Sequence, residues 1–433
     1  MRLTTVTRMT LPPGRLHSYV VGTAGDRGRS LPVSFDQRRH VGEGQRPGSW
    51  MAVSFRLPAG VARDELAAAW LAVIARHGTF RTVFGRSDAE ELTLHELTVE
   101  PGGWEQHPIA PGRTAREVVR DVFDQACAPF ESPSYRLCLL EPTDEPDRGV
   151  VVIGADHSHV DMWSWHVVIR DLLDAIADVR AGRPPLPGEV SSFAQHSAVL
   201  EAMPPAPDDV SRRWEQILAA EAGSMPLFPL PLGDVSHPRP AVVEVRDVLD
   251  AAELRRFDIA AAAAAVRPIA LAMSVLTRVT RTLADAPLRA VFPVHSRHED
   301  RWHDAVGWFI TNAVIESDDD DPLSCARAVR EAMALGSHPL APILAPYGGM
   351  PVRPGMFAIS WLDARRMAMP IGPELEIQHV SAAIATDGVM IWFIATEAGM
   401  QLRSRYPDTP EARANVSAWL DAIEAELEDA AAR

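Results

Sequence analysis

The chain has 433 residues, 47% hydrophobic and 23% charged, the balance of a globular protein too long for one compact core. Its formal charge is −16, and its 42 basic residues other than histidine are all arginine. That acidity argues against nucleic acid or an anionic membrane as the main partner, while leaving room for a local basic patch. Cys127, Cys138 and Cys325 show no metal or redox spacing, as expected of reduced thiols in a cytoplasmic protein. The first residues, MRLTTVTRMTLPPGRL, lack the apolar core of a signal peptide, and no run of 18 apolar residues occurs. The expectation is a soluble, cytoplasmic chain with no membrane association.

Up to Val33 the chain is rich in Gly, Pro and Arg, and mixed short strands and loops are expected. Ala62–Arg76 has helical apolar spacing with Asp64 and Glu65 in its first turn. Arg81–Phe84 reads as a strand, Ala115–Ala126 as an amphipathic helix and Ser134–Leu140 as a strand. Val150–Ala155 is a β-branched run that predicts a buried strand, and Trp163–Arg180 predicts the helix after it. The Gly- and Pro-rich stretch within 181–190 reads as a linker, dividing an N-terminal lobe, 1–180, from a C-terminal lobe, 191–433. Beyond it, Ser191–Ala220 looks helical with a break near Pro204, and Met225–Pro240 is a Pro-rich loop. Strands are predicted over Ala241–Leu249, Leu288–Val294, Trp308–Ile315, Phe357–Trp361, Glu374–Val380 and Val389–Ile394, and helices over Ala251–Asp285 and Pro410–Ala431. The acidic run Asp318–Asp321 reads as a surface loop.

The most informative stretch is Gly149–Asp161, GVVVIGADHSHVD. Its strand runs out into His157 and Asp161, four residues apart, just before a helix begins. A corner of that kind holds one imidazole rigidly at the edge of a cavity, which suits a general base.

This segment resembles the His-His-x-x-x-Asp-Gly signature of the condensation-domain and acyl-CoA-dependent acyltransferase superfamily. His157 takes the place of the second histidine, Asp156 stands where the first would be, and Met162 replaces the glycine. Other landmarks follow in family order: Arg76–Phe84, Ala128–Glu131, the spacing from Phe193 to Trp214, Phe292–Arg297, and Val306–Asn312. The resemblance implies an α/β (α+β) fold of two chloramphenicol-acetyltransferase-like lobes with mixed sheets and a tunnel at their interface. It implies a stand-alone acyltransferase, of the polyketide-associated-protein type, acting in lipid or secondary-metabolite biosynthesis. His157 would be the base, and Asp161 would be architectural, paired with an arginine, Arg297 first and Arg81 second. Met162, Trp163, Trp308, Asn312 and Trp361 are the candidates for a substrate channel, with Trp165 as a further aromatic beside the motif. No cofactor would be bound permanently. A phosphopantetheine thioester, of CoA or of an acyl or peptidyl carrier protein, would be co-substrate, and a small alcohol or amine the acceptor.

Two alternatives remain at this level. His157-x-His159-x-Asp161 also resembles the metal-binding motif of metallo-β-lactamase-type hydrolases, since alternate residues of an extended segment face one side. A non-catalytic, condensation-like docking module is the other.

Overall fold

The computed structural model describes residues 2–25, 27–367 and 372–432. Two compact units share the chain: Met1–Ala202 with Arg297–Phe309 and Met369–Ala383, and Met203–Ser296 with Ile310–Ala368 and Ile384–Arg433. The division therefore falls after Ala202 rather than at 181–190. The expected linker is a loop inside the first unit, between the helices Met162–Arg180 and Phe193–Glu201. A contiguous split could not anticipate the two later segments that return to the first unit.

In the first unit seven strands form a mixed sheet, in the order Arg2–Thr5, Gln378–Ser381, Trp50–Arg56, Val150–Asp156, Tyr135–Pro142, Gly14–Ala24, Thr98–His107. The first pair is parallel and the rest antiparallel. Val150–Asp156 lies at the centre, buried along its whole length. Val151 and Ile153 pack with Trp70, Val73, Trp165 and Leu172 from the helices Arg63–Arg76 and Met162–Arg180. On the opposite face a Cβ at Gly154 would lie 2.8 Å from the Phe123 ring, so the helix Ala115–Ala126 closes down there. Burial on both faces explains the uninterrupted apolar run. The Arg76-His77 landmark ties two helices together: His77 Nε2 lies 2.9 Å and Arg76 Nε 3.0 Å from Asp171. A small sheet of Ser30–Leu31, Leu92–Glu96 and Thr82–Arg86 completes this unit.

The second unit holds another mixed seven-stranded sheet, ordered Ile310–Ser317, Leu288–His295, Phe357–Asp363, Val389–Thr396, Gly399–Pro407, Arg239–Asp250, Ala385–Thr386. One face is covered by helices that include Ala251–Ala263, Pro268–Ala284 and Pro410–Ala432. The acidic run finds local work. Asp321 caps the helix Pro322–Leu335 through Ser324 N, and Asp320 pairs with Arg278 and Arg281. Two strand expectations need correction. Trp308 and Phe309 precede the strand Ile310–Ser317, and Glu374 sits in a 3-10 turn, with the strand confined to Gln378–Ser381.

His166 and His379 stack in the first unit, ring centroids 5.0 Å apart, both buried. Burial pushes His166 down to about 4 and His379 well below 6.5. An unfolded histidine takes up its proton first, so stability is intact above about pH 6.5 and falls as pH drops toward 4. The shift of His166 alone predicts a loss of about 3 kcal/mol across that window. Urea unfolding at pH 7 and pH 4.5 (about 25 °C) checks it, and His166→Phe should reduce the difference while His379 keeps its own share.

Candidate active site

The central strand ends at Asp156, and the chain turns through a 3-10 segment, His157–His159, into the helix Met162–Arg180. The turn is held from several sides. His157 N–H donates to Ser49 O at 3.0 Å, Gln37 Nε2 donates to Ser158 O at 2.9 Å, and Thr79 Oγ1 to His159 O at 3.4 Å. The His157 Nδ1–H donates to Val160 O at 2.9 Å, which fixes the tautomer and leaves the lone pair on Nε2. Burial lowers the His157 pKa below 6.5, so the imidazole is neutral at pH 7. The residue nevertheless keeps partial exposure. The Trp308 indole stacks on it, with centroids 4.2 Å apart at 22°.

Asp161 is 1% exposed and caps the helix, accepting from Ser164 N and Oγ, each at 2.7 Å. Its partner is Arg297, with NH2 3.1 Å from Oδ1 and 3.2 Å from Oδ2, and Phe309 N donates to Oδ2 at 3.0 Å. Arg297 in turn donates to Trp302 O at 2.7 Å and to Ala305 O at 2.6 Å, and lies 3.8 Å over the Phe309 ring. Ser164 Oγ accepts from Gly307 N at 3.0 Å. A Cβ at Gly307 would meet Phe193 at 2.4 Å, so only glycine allows this approach. One carboxylate thus pins the whole segment Arg297–Phe309 to the helix start, and Trp308 is carried on that segment to the face of His157. Among the described residues Asp161 bonds to Ser164, Arg297 and Phe309 and not to the His157 imidazole.

Asp156 is fully buried and organises the other side. It accepts from Ser158 N at 2.9 Å and from Ser158 Oγ, and faces His40 Nε2 at 3.2 Å. Arg46 donates to His40 Nδ1 at 3.1 Å, so Nδ1 accepts and Nε2–H donates to Asp156. Burial would raise the Asp156 carboxyl, but the hydrogen bond from His40, with the nearby charge and the bonds from Ser158, outweighs it and holds the group at about 2. The His40 ring stands 5.3 Å from Trp308 and 6.1 Å from His157.

The matching family model is the condensation domain, over residues 32–338. The chain belongs to the condensation-domain family. Acyltransferase PapA3 of Mycobacterium tuberculosis (strain CDC 1551 / Oshkosh) is 24% identical over 423 residues, spanning 90% of this chain and 87% of that protein. The solved structure of PapA2 acyl transferase superposes with a TM-score of 0.84 at 20% identity, covering all of both chains. The epimerization domain of tyrocidine synthetase B superposes at 0.69 and 14% identity, covering 95% and 98% of the two chains. One condensation-domain architecture therefore serves more than one reaction, and the chemistry must be argued from the residues.

Within this family frame the candidate residues separate. His157, Asp161, Met162, Trp163, Arg297 and Trp308 fall in the first unit, where Trp163 Nε1 donates to His303 O at 3.0 Å. Trp165 is fully buried in the core. Asn312 and Trp361 belong to the second unit. Trp361 opposes Phe393, whose strand neighbour Leu402 opposes Arg246, and Arg246 reaches Asp421 and Glu424 of the terminal helix. Trp361 thus projects from the helix-covered face of its sheet. Asn312, opposite Pro293, projects from the other face, as does Trp392. Arg81 is not the partner of Asp161.

The metal-motif alternative fails on geometry. It assumed an extended segment, whereas the 3-10 turn sends the side chains apart: His157 to Val160 O, His159 to Ser158 and Phe84, Asp161 to Arg297. Among the described residues no group of three His, Cys, Asp or Glu is placed to hold a metal ion. A cavity of about 690 Å³ lies behind the turn, lined by Arg29, Gln37, Thr79, Arg81 and Gln195 among others, but not by His157 or Trp308.

Sequence reasoning missed His40, Arg46 and the role of Asp156. His40 lies on a short polar helix, Phe35–Gly42, and its local sequence carries no sign of a partner 116 residues away. The one available signal was the carboxylate at the position of the first family histidine. A charge at the end of a buried strand needs a partner.

Proposed function

We propose that this chain is an acyltransferase that moves an acyl group from a thioester, of CoA or of a carrier protein, to a hydroxyl or amine in lipid or secondary-metabolite biosynthesis. The observation that carries the reading is His157: a neutral, partly exposed imidazole whose Nδ1–H is committed to Val160 O, leaving Nε2 as the acceptor. Nε2 takes the acceptor's proton as its oxygen or nitrogen attacks the thioester carbonyl. The C–S bond then breaks, and the imidazolium returns its proton to the leaving thiolate. Stacking of the Trp308 face against the ring favours the transient cation. The homology with acyltransferases supports the reaction class and leaves both substrates open.

The test is direct incubation of the purified chain with acyl-CoA or acyl-carrier thioesters and a panel of alcohols and amines, following product mass and thiol release. Transfer is expected, with kcat/KM falling only on the acid side, below about pH 6.5, because burial lowers the base. An acid limb centred above pH 7 would sink His157 as the base. Absence of transfer from every thioester, with retained binding to carrier protein, would move the reading to a docking module.

A further inference from the structure

Several arginines of this chain that are drawn inward are matched to carboxylates. Arg297 has Asp161, Arg365 has Asp258 and Asp363, Arg213 has Glu316 and Glu331, and Arg246 has Glu244, Asp421 and Glu424. Arg405 breaks the pattern. It lies in the strand Gly399–Pro407 of the second unit and is only partly exposed. Among the described residues no acidic side chain pairs with it. Its NH2 faces the thioether of Met390 at 2.8 Å, a weak acceptor, and its Nε is buried without a hydrogen-bond partner.

The register shows which face this is. Arg405 opposes Met390, and Arg403 opposes Trp392 on the neighbouring strand. Alternation places all four on the face opposite the helix-covered one, where Leu402 and Phe393 point. The two guanidinium groups lie 4.7 Å (Arg403) and 5.5 Å (Arg405) from the centroid of the Trp392 ring. Two like charges therefore share one indole. Leaving a buried cation without an anion is costly, and a second cation beside it raises the cost. Burial pulls Arg405 down to about 10, and burial with the charge of Arg405 pulls Arg403 to about 9. In a chain of net charge −16 carboxylates were not in short supply.

We infer that Arg405, with Arg403 and Trp392, forms a binding site for a tetrahedral oxyanion, the phosphate or sulfate group of a substrate. The planar fork of Arg405 suits a tetrahedral oxyanion, which would supply the acceptor that Met390 does not, and Arg403 adds a second positive charge beside the same indole. The inference concerns binding and stands whether or not the chain transfers acyl groups.

The test uses the full chain in chloride buffer, titrated with inorganic phosphate, inorganic sulfate, CoA and 3′-dephospho-CoA at constant ionic strength, read by thermal shift and calorimetry. Wild type should bind phosphate or sulfate, and Arg405→Gln should weaken that binding at least about tenfold, the scale of one charge-assisted contact. Arg405→Gln also serves as the control for the general stabilising effect of sulfate. Arg405→Lys keeps the charge without the fork, so it tests the site if the glutamine variant folds poorly, and it should bind more weakly than wild type. If CoA loses affinity in these variants and dephospho-CoA does not, the anion is the donor's 3′-phosphate. If only the inorganic anions respond, it belongs to the acceptor. Equal responses of wild type and both variants to all four probes would overturn the proposal.

Discussion

His157→Ala should lower kcat by at least about 100-fold, because general-base assistance is typically worth about 10² to 10⁴ in rate. The loss should fall on kcat more than on KM, since proton removal accompanies bond formation in the transition state. The fold should survive. The imidazole's side-chain bond to the protein is the Nδ1–H to Val160 O, and its main packing partner is Trp308. An aromatic pair contributes about 0.5–1.5 kcal/mol, small against a domain's total of about 5–15 kcal/mol. The turn backbone stays tied through His157 N–H to Ser49 O, which alanine keeps. His157→Gln offers a polar group of similar reach without a base of useful pKa, and should be as slow as the alanine variant. Initial rates beside thermal melts check both. A variant that melts near wild type and retains activity within a few-fold would remove His157 from the chemistry.

The site was legible where chemistry and periodicity were local. The β-branched run, the His157–Asp161 spacing and the following amphipathic helix are contiguous, and each formed as the residues imply. The Asp161–Arg297 pair was legible only through family resemblance, since no physical pattern links residues 136 apart in sequence. Elsewhere the pattern carried less. The strand Gly399–Pro407 lies inside the second sheet, where Arg403 and Arg405 alternate with Leu402, Ser404 and Tyr406, and no strand was expected there. Trp361 was chosen as a channel residue by its type. The pleat instead turns it to the helix-covered face and puts Trp392 on the other. The unit boundary was illegible for a similar reason. A Gly/Pro-rich loop marks flexibility of the local chain, whereas membership of a core depends on which distant segments return to it, as Arg297–Phe309 does.

Asp161→Ala should cost about 3–5 kcal/mol of stability, the range for removing one partner of a buried ion pair. Arg297 is 1% exposed, and no other carboxylate is bound to it among the described residues. The substitution also strips the helix cap from Ser164 N and the acceptor from Phe309 N, so two buried donors lose their partner along with the charge. Arg297→Met should hurt less than Asp161→Ala, because Asp161 keeps its three hydrogen bonds from Ser164 and Phe309. The double variant should fall well short of the summed losses, since each single change leaves the other charge stranded. Urea unfolding of the four proteins gives the cycle. The consequence for function runs through the segment Arg297–Phe309. Once it is no longer pinned, Trp308 loses its place on the His157 ring, so activity should fall in step with stability, and Asp161→Asn, which can still accept from Ser164, should recover part of both. If Asp161→Ala is as stable as wild type but inactive, the carboxylate acts on the reaction itself. The chain of contacts from Asp161 through Arg297 to Trp308 would then be packing without a role in holding the base.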